Sequence, residues 1–276
     1  MNELKVKKNF TDIYTQESPC GYLMEMKKLG YSISDSTKPL YNSIVEELEN
    51  KLSRPINILD LGSSYGINSA LMKYNLTMTE LNNFFLTETE PTKKETKQFY
   101  EKCTTSDKMC FYQIDISDEA LKFSEEMGLC EKGIKVNLDD EKLEILESLP
   151  KVDVVIATGC IGYIGYMAFV NLLKVIKNRQ SNSIEDKTEY NSPIFAFSVL
   201  RMFDMKDIEK TFEKYNYSIV KRDMKPIIQR KFSDIKEKDE TISMLHGMGI
   251  NTKEYEDDGN FYADFYIAKY KNQDLN

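Results

Sequence analysis

Residues 56–72 read INILDLGSSYGINSALM, an apolar run that ends in an acid, breaks into glycines and resumes with helical spacing. Ile56, Ile58, Leu59 and Leu61 form a run too short for a helix and suited to a buried strand. Gly62 and Gly66 allow positive φ and close approach of the backbone to another molecule. From Ile67 to Tyr74 the pattern is helical, with Ala70, Leu71 and Tyr74 on one side. A strand, a glycine turn and a helix N-terminus leave N–H groups unpaired and pointing outward, which is a cradle for a cofactor. A tight turn that serves only packing reads the same way, so the wider pattern has to decide.

Other residues could join such a cradle. Asp115 closes the strand pattern FYQIDIS (111–117), and an ionised carboxylate can accept from two ribose hydroxyls at once. Its plain alternative is a strand-end cap. Asn137 and Asp139, after the strand pattern IKVNL (134–138), can pair with a purine edge or simply turn the chain. Tyrosine is frequent: Tyr22, Tyr31 and Tyr41 lie in helical patterns, Tyr65 in the glycine loop, and Tyr163 and Tyr166 beyond VDVVIATG (152–159). An aromatic face attracts a cation within about 6 Å of its centroid, and a phenol orients an amine or carboxylate. Core and lid packing is the alternative for each ring. Tyr163 leads because glycines flank it in GCIGYIG. The one histidine, His246 in MLHGMG, can act as a neutral base near pH 7 or merely cap a surface. Cys160 has apolar neighbours, which favour an inert thiol over a nucleophile. Arg201 in SVLRMFD can take an anion bidentately or pair with Asp204 or Asp207.

The elements that position these groups alternate. YLMEMKKLGY (22–31) and KPLYNSIVEELENKL (38–52) are helical patterns ahead of the first strand, closed by Arg54-Pro55. Residues 75–110 are polar and mostly helical, long for a helix-to-strand connection. Strands follow at 111–117, 134–138, 152–159 and 193–200, with helices at 118–129, 141–149, 166–178 and 206–215 and a polar loop at 179–192. YSIVKRDM and FYADFYIAKY close the sheet as a hairpin across a charged segment. The pattern predicts an α/β, mostly parallel seven-stranded sheet with helices on both faces. Residues 1–54 form an N-terminal helical cover, and 55–276 form the binding domain with a helical insertion at about 75–110. Parallel strands would bring all the candidate strand ends to one rim.

Composition narrows the partners. The 276 residues carry 37 basic and 45 acidic side chains, a net charge of −8. That weighs against a nucleic-acid backbone or an anionic membrane as the main partner. Five cysteines without a CxxC pair suggest neither a disulfide framework nor a zinc site, and reduced thiols fit a cytoplasmic protein. MNELKVKKNF lacks an apolar signal region. No run reaches the roughly 18 apolar residues of a membrane span.

ILDLGSSYG resembles motif I of class I S-adenosylmethionine-dependent methyltransferases. YQIDISDEALKFSEEMGL resembles their second strand and following helix, and VDVVIATG their fourth strand. The resemblance spans roughly residues 56–70 and 111–200 and implies that the α/β sheet is Rossmann-like. It implies S-adenosylmethionine as co-substrate and no metal, held by Asp60, Gly62, Ser63, Ser64, Tyr65 and Gly66, by Asp115 and Ile116, by Asn137, Leu138 and Asp139, and by Thr158 and Gly159. Tyr22, Tyr31, Asn68 and Arg201 are then candidates for the substrate side, and Tyr163, Tyr166 and His246 for catalysis. The chain departs from the family in carrying Ser64 at the middle glycine, in its long stretch between Asp60 and Asp115, and in lacking an Asn-Pro-Pro-aromatic sequence after the fourth strand. The last departure points away from nucleic-acid bases and toward methylation of a small molecule, with specialised metabolism as the expected setting. Two alternatives stay open: cyclisation of S-adenosylmethionine to azetidine-2-carboxylate with release of methylthioadenosine, and a binding regulator without turnover.

Overall fold

The computed structural model describes residues 15–138, 144–182 and 192–271. The strands are β1 (Ile56–Leu61), β2 (Met109–Asp115), β3 (Lys132–Lys135), β4 (Val154–Ala157), β5 (Ile194–Leu200), β6 (Tyr217–Lys221), β7 (Ile227–Lys231) and β8 (Asn260–Tyr270). They form one sheet in the order β3-β2-β1-β4-β5-β8-β6, with β7 also paired to β8. Pairs among the first five are parallel, and β8 runs antiparallel to β5, β6 and β7. This is the expected Rossmann-like sheet with one strand more. β6 pairs with residues 266–270 of β8 and β7 with residues 260–263, so the two share the outer side of β8.

The central strands are buried on both faces, which is why they read as unbroken apolar runs. Alternation divides them between two cores. Leu59, Leu61, Val155, Phe195 and Phe197 face one side, with Phe169, Leu172 and Phe212. Ile58, Ile156, Ile194 and Ala196 face the other, with Tyr41, Val45 and Leu48. Chain order reverses at β1, whose neighbours are β2 and β4, so a crevice opens beyond the carboxyl ends of β1 and β4.

Two helices precede the sheet, α1 (Cys20–Lys28) and α2 (Ile33–Leu52). α2 starts earlier than the sequence pattern suggests and runs through Pro39, whose missing donor is offset by a buried face that includes Ile33, Thr37 and Tyr41. α3 (Ile67–Lys73) follows β1, and the long connection to β2 folds as α4 (Met78–Phe85) and α5 (Lys93–Glu101). Capping boxes at Thr77/Glu80 and Thr92/Glu95 start the last two. Phe84 stacks on Phe99 with centroids 4.0 Å apart. Tyr22, Leu23 and Met26 of α1 share a core with Leu71, Leu81 and Phe85, so the insertion seats α1.

The remaining helices are α6 (Asp118–Glu126), α7 (Ile161–Ile164), α8 (Met167–Asn182), α9 (Lys206–Lys214) and α10 (Ile235–Gly247). Several boundaries differ from the sequence reading. β3 lies two residues earlier, and Leu138 falls in a turn. A 3₁₀ turn at Glu144–Ser148 stands within the span expected as an α-helix at 141–149, whose first residues lie outside the described ones. The charged segment before β8 holds β7 and α10, which the sequence reading left unassigned. Among the described residues, no helix is long and apolar enough to cross a membrane.

Candidate functional site

The crevice beyond β1 and β4 is a cleft of about 590 Å³, counted out to open solvent. One wall is the loop after β1, with Gly62, Ser63 and Ser64, and the start of α3, with Ile67 and Asn68. A second is the end of β4 and α7: Thr158, Gly159, Cys160 and Tyr163. Tyr22 and Met26 of α1, with Tyr31 and Ser34, close a third side, and Gln229 and Arg230 of β7 the fourth.

Gly62 has φ +63°, and a Cβ there would meet Cys160 Cβ at 2.8 Å. A side chain at Gly66, φ +73°, would run into Ser124 Oγ. Between them Ser64 takes φ 51°, a left-handed conformation that costs a residue with Cβ roughly 1–2 kcal/mol. The position where the family pattern has its middle glycine therefore keeps a glycine-like backbone and adds a hydroxyl.

The loop amides correct one expectation. Gly62 N–H and Ser63 N–H donate to the Ile114 carbonyl at 2.8 and 3.2 Å, and Gly66 N–H to Ser63 O at 3.0 Å. Ser64 N–H donates to Asp115 Oδ2 at 2.8 Å. These four N–H groups are spent on holding the loop. The unanswered groups are side chains: Ser63 and Ser64 are 3 % and 6 % exposed, and both buried hydroxyls lack a hydrogen-bond partner among the described residues. A buried polar group left unpaired costs about 1–3 kcal/mol, which a ligand can recover.

Two acids stand behind the loop. Asp60 is fully buried, with Asn68 Nδ2 3.1 Å from each carboxylate oxygen. Burial pushes its pKa up to about 8; the Asn68 bond works against this, and Asp115 adds to it. Asp115 is raised too, chiefly by burial, against the pull of N–H groups from Ser117, Ser64 and Ile116. Its Oδ1 accepts from Ser117 N–H at 2.9 Å. Both oxygens are thus engaged, and three N–H groups on about four lone-pair sites leave one remaining.

Behind the second wall, Tyr41 Oη lies 2.7 Å from Thr158 Oγ1, and Cys160 Sγ donates to Leu61 O at 3.1 Å. Tyr163 is 49 % exposed on a helix of four residues, between Gly159 and Gly165, both with positive φ. Burial of its hydroxyl raises its pKa, and Arg230 opposes that shift. Arg230 is itself held by Glu237, NH2 to Oε1 at 2.7 Å and NH1 to Oε2 at 2.9 Å, with the guanidinium 4.6 Å over the Phe261 ring. Burial works to raise Glu237, but Arg230 and the Ser233 N–H outweigh it and hold the carboxyl below its usual range. The pair brings no net charge to the cleft.

The cleft therefore gathers Tyr22, Tyr31, Gly62, Ser63, Ser64, Asn68, Thr158, Gly159 and Tyr163 from the sequence-predicted set. Others are placed elsewhere. Tyr65 is buried, donates to Gln16 O at 2.8 Å and packs on Tyr22 and Phe123, so it anchors the N-terminal segment and does not line the cleft. Tyr166 packs against the core. His246 is exposed on α10, 3.1 Å from Thr252 Oγ1, and is not among the lining residues. Arg201 is committed to Glu256 at 2.7 Å and to Asn251 O at 2.9 Å, over the Tyr255 ring; its partners are not Asp204 and Asp207. Ile116 is 66 % exposed, Asn137 is also exposed, and Leu138 is buried in the core. Asp139 lies outside the described residues. Among the described residues no cluster of His, Cys, Asp and Glu is set to hold a metal ion.

Sequence reasoning missed Met26, Ser34, Ile67, Gln229 and Arg230. Met26 had a signal, since it sits one helical turn after Tyr22. Gln229 and Arg230 had none, because only β7 pairing to a distant strand brings them in.

No family model matches the chain, and no curated protein does. The chain is similar to the solved structure of a plantazolicin methyltransferase, BamL, in complex with a triazolic desmethylPZN analog and SAH: 10 % identity over 94 % of this chain and 96 % of that one, TM-score 0.45. It is similar to magnesium protoporphyrin IX methyltransferase from Synechocystis PCC 6803 with bound SAM, at 12 % identity over 84 % and 78 % of the two chains, TM-score 0.39. A third is precorrin-6y C5,15-methyltransferase from Geobacter metallireducens, at 11 % identity over 79 % and 81 %, TM-score 0.38.

Proposed function

We propose that the protein binds S-adenosylmethionine in this cleft and catalyses methyl transfer to a small molecule. The observation that carries the reading is the pair of buried, unpartnered hydroxyls on Ser63 and Ser64, in a strained glycine-type loop at the point where strand order reverses. The motif resemblance of residues 56–70 and 111–200 supports the same ligand.

The residues fit the co-substrate. Asp115, bonded to the loop through Ser64 N–H, would take a ribose hydroxyl with its remaining lone pair. Ser63 and Ser64 would meet the amino-acid end, and Asn68 the substrate side. Tyr22, Tyr31 and Tyr163 offer aromatic faces to a cation. The ligand brings an already activated sulfonium carbon, so alignment and exclusion of water are what the protein must add. In this reading residues 1–54 act as the cover and 55–276 as the binding domain, with a small-molecule partner and neither nucleic acid nor membrane.

Intramolecular cyclisation is the second reading. It uses the same cleft, which Tyr22, Met26 and Gln229 also line, and it needs no acceptor. The deciding experiment is incubation with S-adenosylmethionine, with and without an acceptor panel, read by mass spectrometry. S-adenosylhomocysteine formed only with an acceptor supports methyl transfer. Methylthioadenosine with a four-carbon cyclic amino acid, from S-adenosylmethionine alone, selects cyclisation. Tight binding without any product selects a regulator.

A further inference from the structure

Two amide side chains line the cleft, Asn68 at the start of α3 and Gln229 on β7. Each has its NH2 group fixed from behind. Gln229 Nε2 donates to the Gly159 carbonyl at 3.3 Å. A backbone carbonyl can only accept, so this bond settles which way the amide lies and leaves Oε1 as the end available to a ligand. Asn68 Nδ2 lies 3.1 Å from both oxygens of Asp60, which leaves its Oδ1 as the other end. The cleft thus has two carbonyl-type acceptors, three tyrosine rings, and an arginine whose charge is matched by Glu237. Acceptor oxygens and aromatic faces together suit a group with several N–H donors and positive or incipient positive charge.

We infer that the nucleophile served by this cleft is an amine nitrogen, with Gln229 Oε1 accepting one of its N–H groups and so setting the direction of its lone pair. Gln229 is then a specificity-determining residue, supplied by the strand that lies off the seven-strand path. The inference rests on the sulfonium reading above. In the step, the nitrogen lone pair forms the new N–C bond and the C–S bond breaks. Its electrons stay on sulfur as a neutral thioether, and the surplus proton on nitrogen passes to water. A hydroxyl nucleophile has a single O–H, so it can satisfy only one of the two amide oxygens and leaves the other unpaired in a partly dry site.

The test has a binding and a product arm. S-adenosylhomocysteine is titrated calorimetrically into the wild type and Gln229→Met, which keeps the volume and removes the amide. A panel of small primary amines, each with the alcohol of the same carbon skeleton, is then titrated into the S-adenosylhomocysteine complexes and incubated with S-adenosylmethionine, alongside a reaction with no acceptor. The inference expects amines to bind the wild-type complex at least tenfold tighter than their alcohols. Gln229→Met should lose that preference while keeping S-adenosylhomocysteine affinity within twofold, and product should carry a new N–C bond. Equal binding of amines and alcohols, an O-, S- or C-alkylated product, retained preference in Gln229→Met, or no product from any amine or from S-adenosylmethionine alone would each overturn it. Failure of the wild type to bind S-adenosylhomocysteine would overturn the underlying reading and the inference with it. The wild-type preference and the product's bond type decide the matter even where Gln229→Met does not fold.

Discussion

The loop from Gly62 to Asn68 and the segment from Gln229 to Glu237 form facing walls of one cleft, yet they are built on opposite principles. The loop is local: its shape follows from glycines and a left-handed serine, the N–H groups of Gly62, Ser63, Ser64 and Gly66 are satisfied within a few residues or by β2, and the Ser63 and Ser64 hydroxyls are left open. The segment from Gln229 to Glu237 is closed: its buried cation, Arg230, is bound bidentately by its buried anion, Glu237, and stacked on an aromatic ring. In the proposed reading, the wall with the unanswered hydroxyls receives the ligand. A wall that answers its own charge is made to hold shape and present what remains, here the Gln229 amide.

The largest effect should come from breaking the closed wall. Glu237→Gln or Arg230→Met leaves a buried partner uncompensated, and each should destabilise by about 3–5 kcal/mol. Removing both together should cost clearly less than the sum of the two, in denaturant unfolding of all three variants. Additive losses would show that the pair does not act as a unit.

Gly62→Val comes next, because it confronts both a positive φ and Cys160 Cβ at 2.8 Å. Strain of roughly 1–2 kcal/mol plus the clash should lower the melting temperature by several degrees. S-adenosylhomocysteine affinity should fall with it. A folded variant with full affinity would move the cradle elsewhere.

Asp60 gives a pH signature. Its pKa is about 8 in the folded protein against an ordinary 3.8, so between those values the folded state holds a proton that the unfolded state has lost. Stability from this group is therefore present at low pH and declines as pH rises from about 4 to 8. The groups around it are Asn68, which bonds it, and Asp115, Tyr31 and Tyr41, which couple to it electrostatically. Asp60→Asn should flatten the decline, gaining on the order of a few kcal/mol over the wild type at pH 8 and far less at pH 5, read by melting at the two values. Parallel curves would mean that Asp60 is ionised in the folded state.

Ser64→Gly should be the smallest in stability and the most telling about the open wall. Relieving the left-handed strain should leave stability unchanged or raise it by up to about 1 kcal/mol, while ligand affinity drops with the lost hydroxyl. A loss of stability with unchanged affinity would mark Ser64 as a structural residue.

The same contrast explains what the sequence made legible. Ile56–Leu61, Val154–Ala157 and Ile194–Leu200 are buried on both faces, so their apolar runs announce a parallel sheet, and the loop after β1 is encoded in consecutive residues. β7 was not legible: its five residues IIQRK are polar at the positions that matter and become a strand only by pairing with residues 260–263. Arg201 and His246 looked chemical in sequence, but Glu256 and Thr252, brought close in space, take up their side chains. Tyr65 was misplaced for a related reason, since its hydroxyl reaches back to Gln16 on a segment that local pattern does not connect to it.

The central claim is that the open hydroxyls of the loop receive S-adenosylmethionine. Its most direct test is calorimetric titration of S-adenosylhomocysteine, which is stable to turnover, into the wild type and a Ser63→Ala/Ser64→Ala double variant of matched melting temperature. The account predicts saturable one-to-one binding to the wild type and at least tenfold weaker binding to the variant, consistent with hydrogen bonds of about 0.5–1.5 kcal/mol each. No binding to the wild type, or equal affinity in the two proteins, would contradict it.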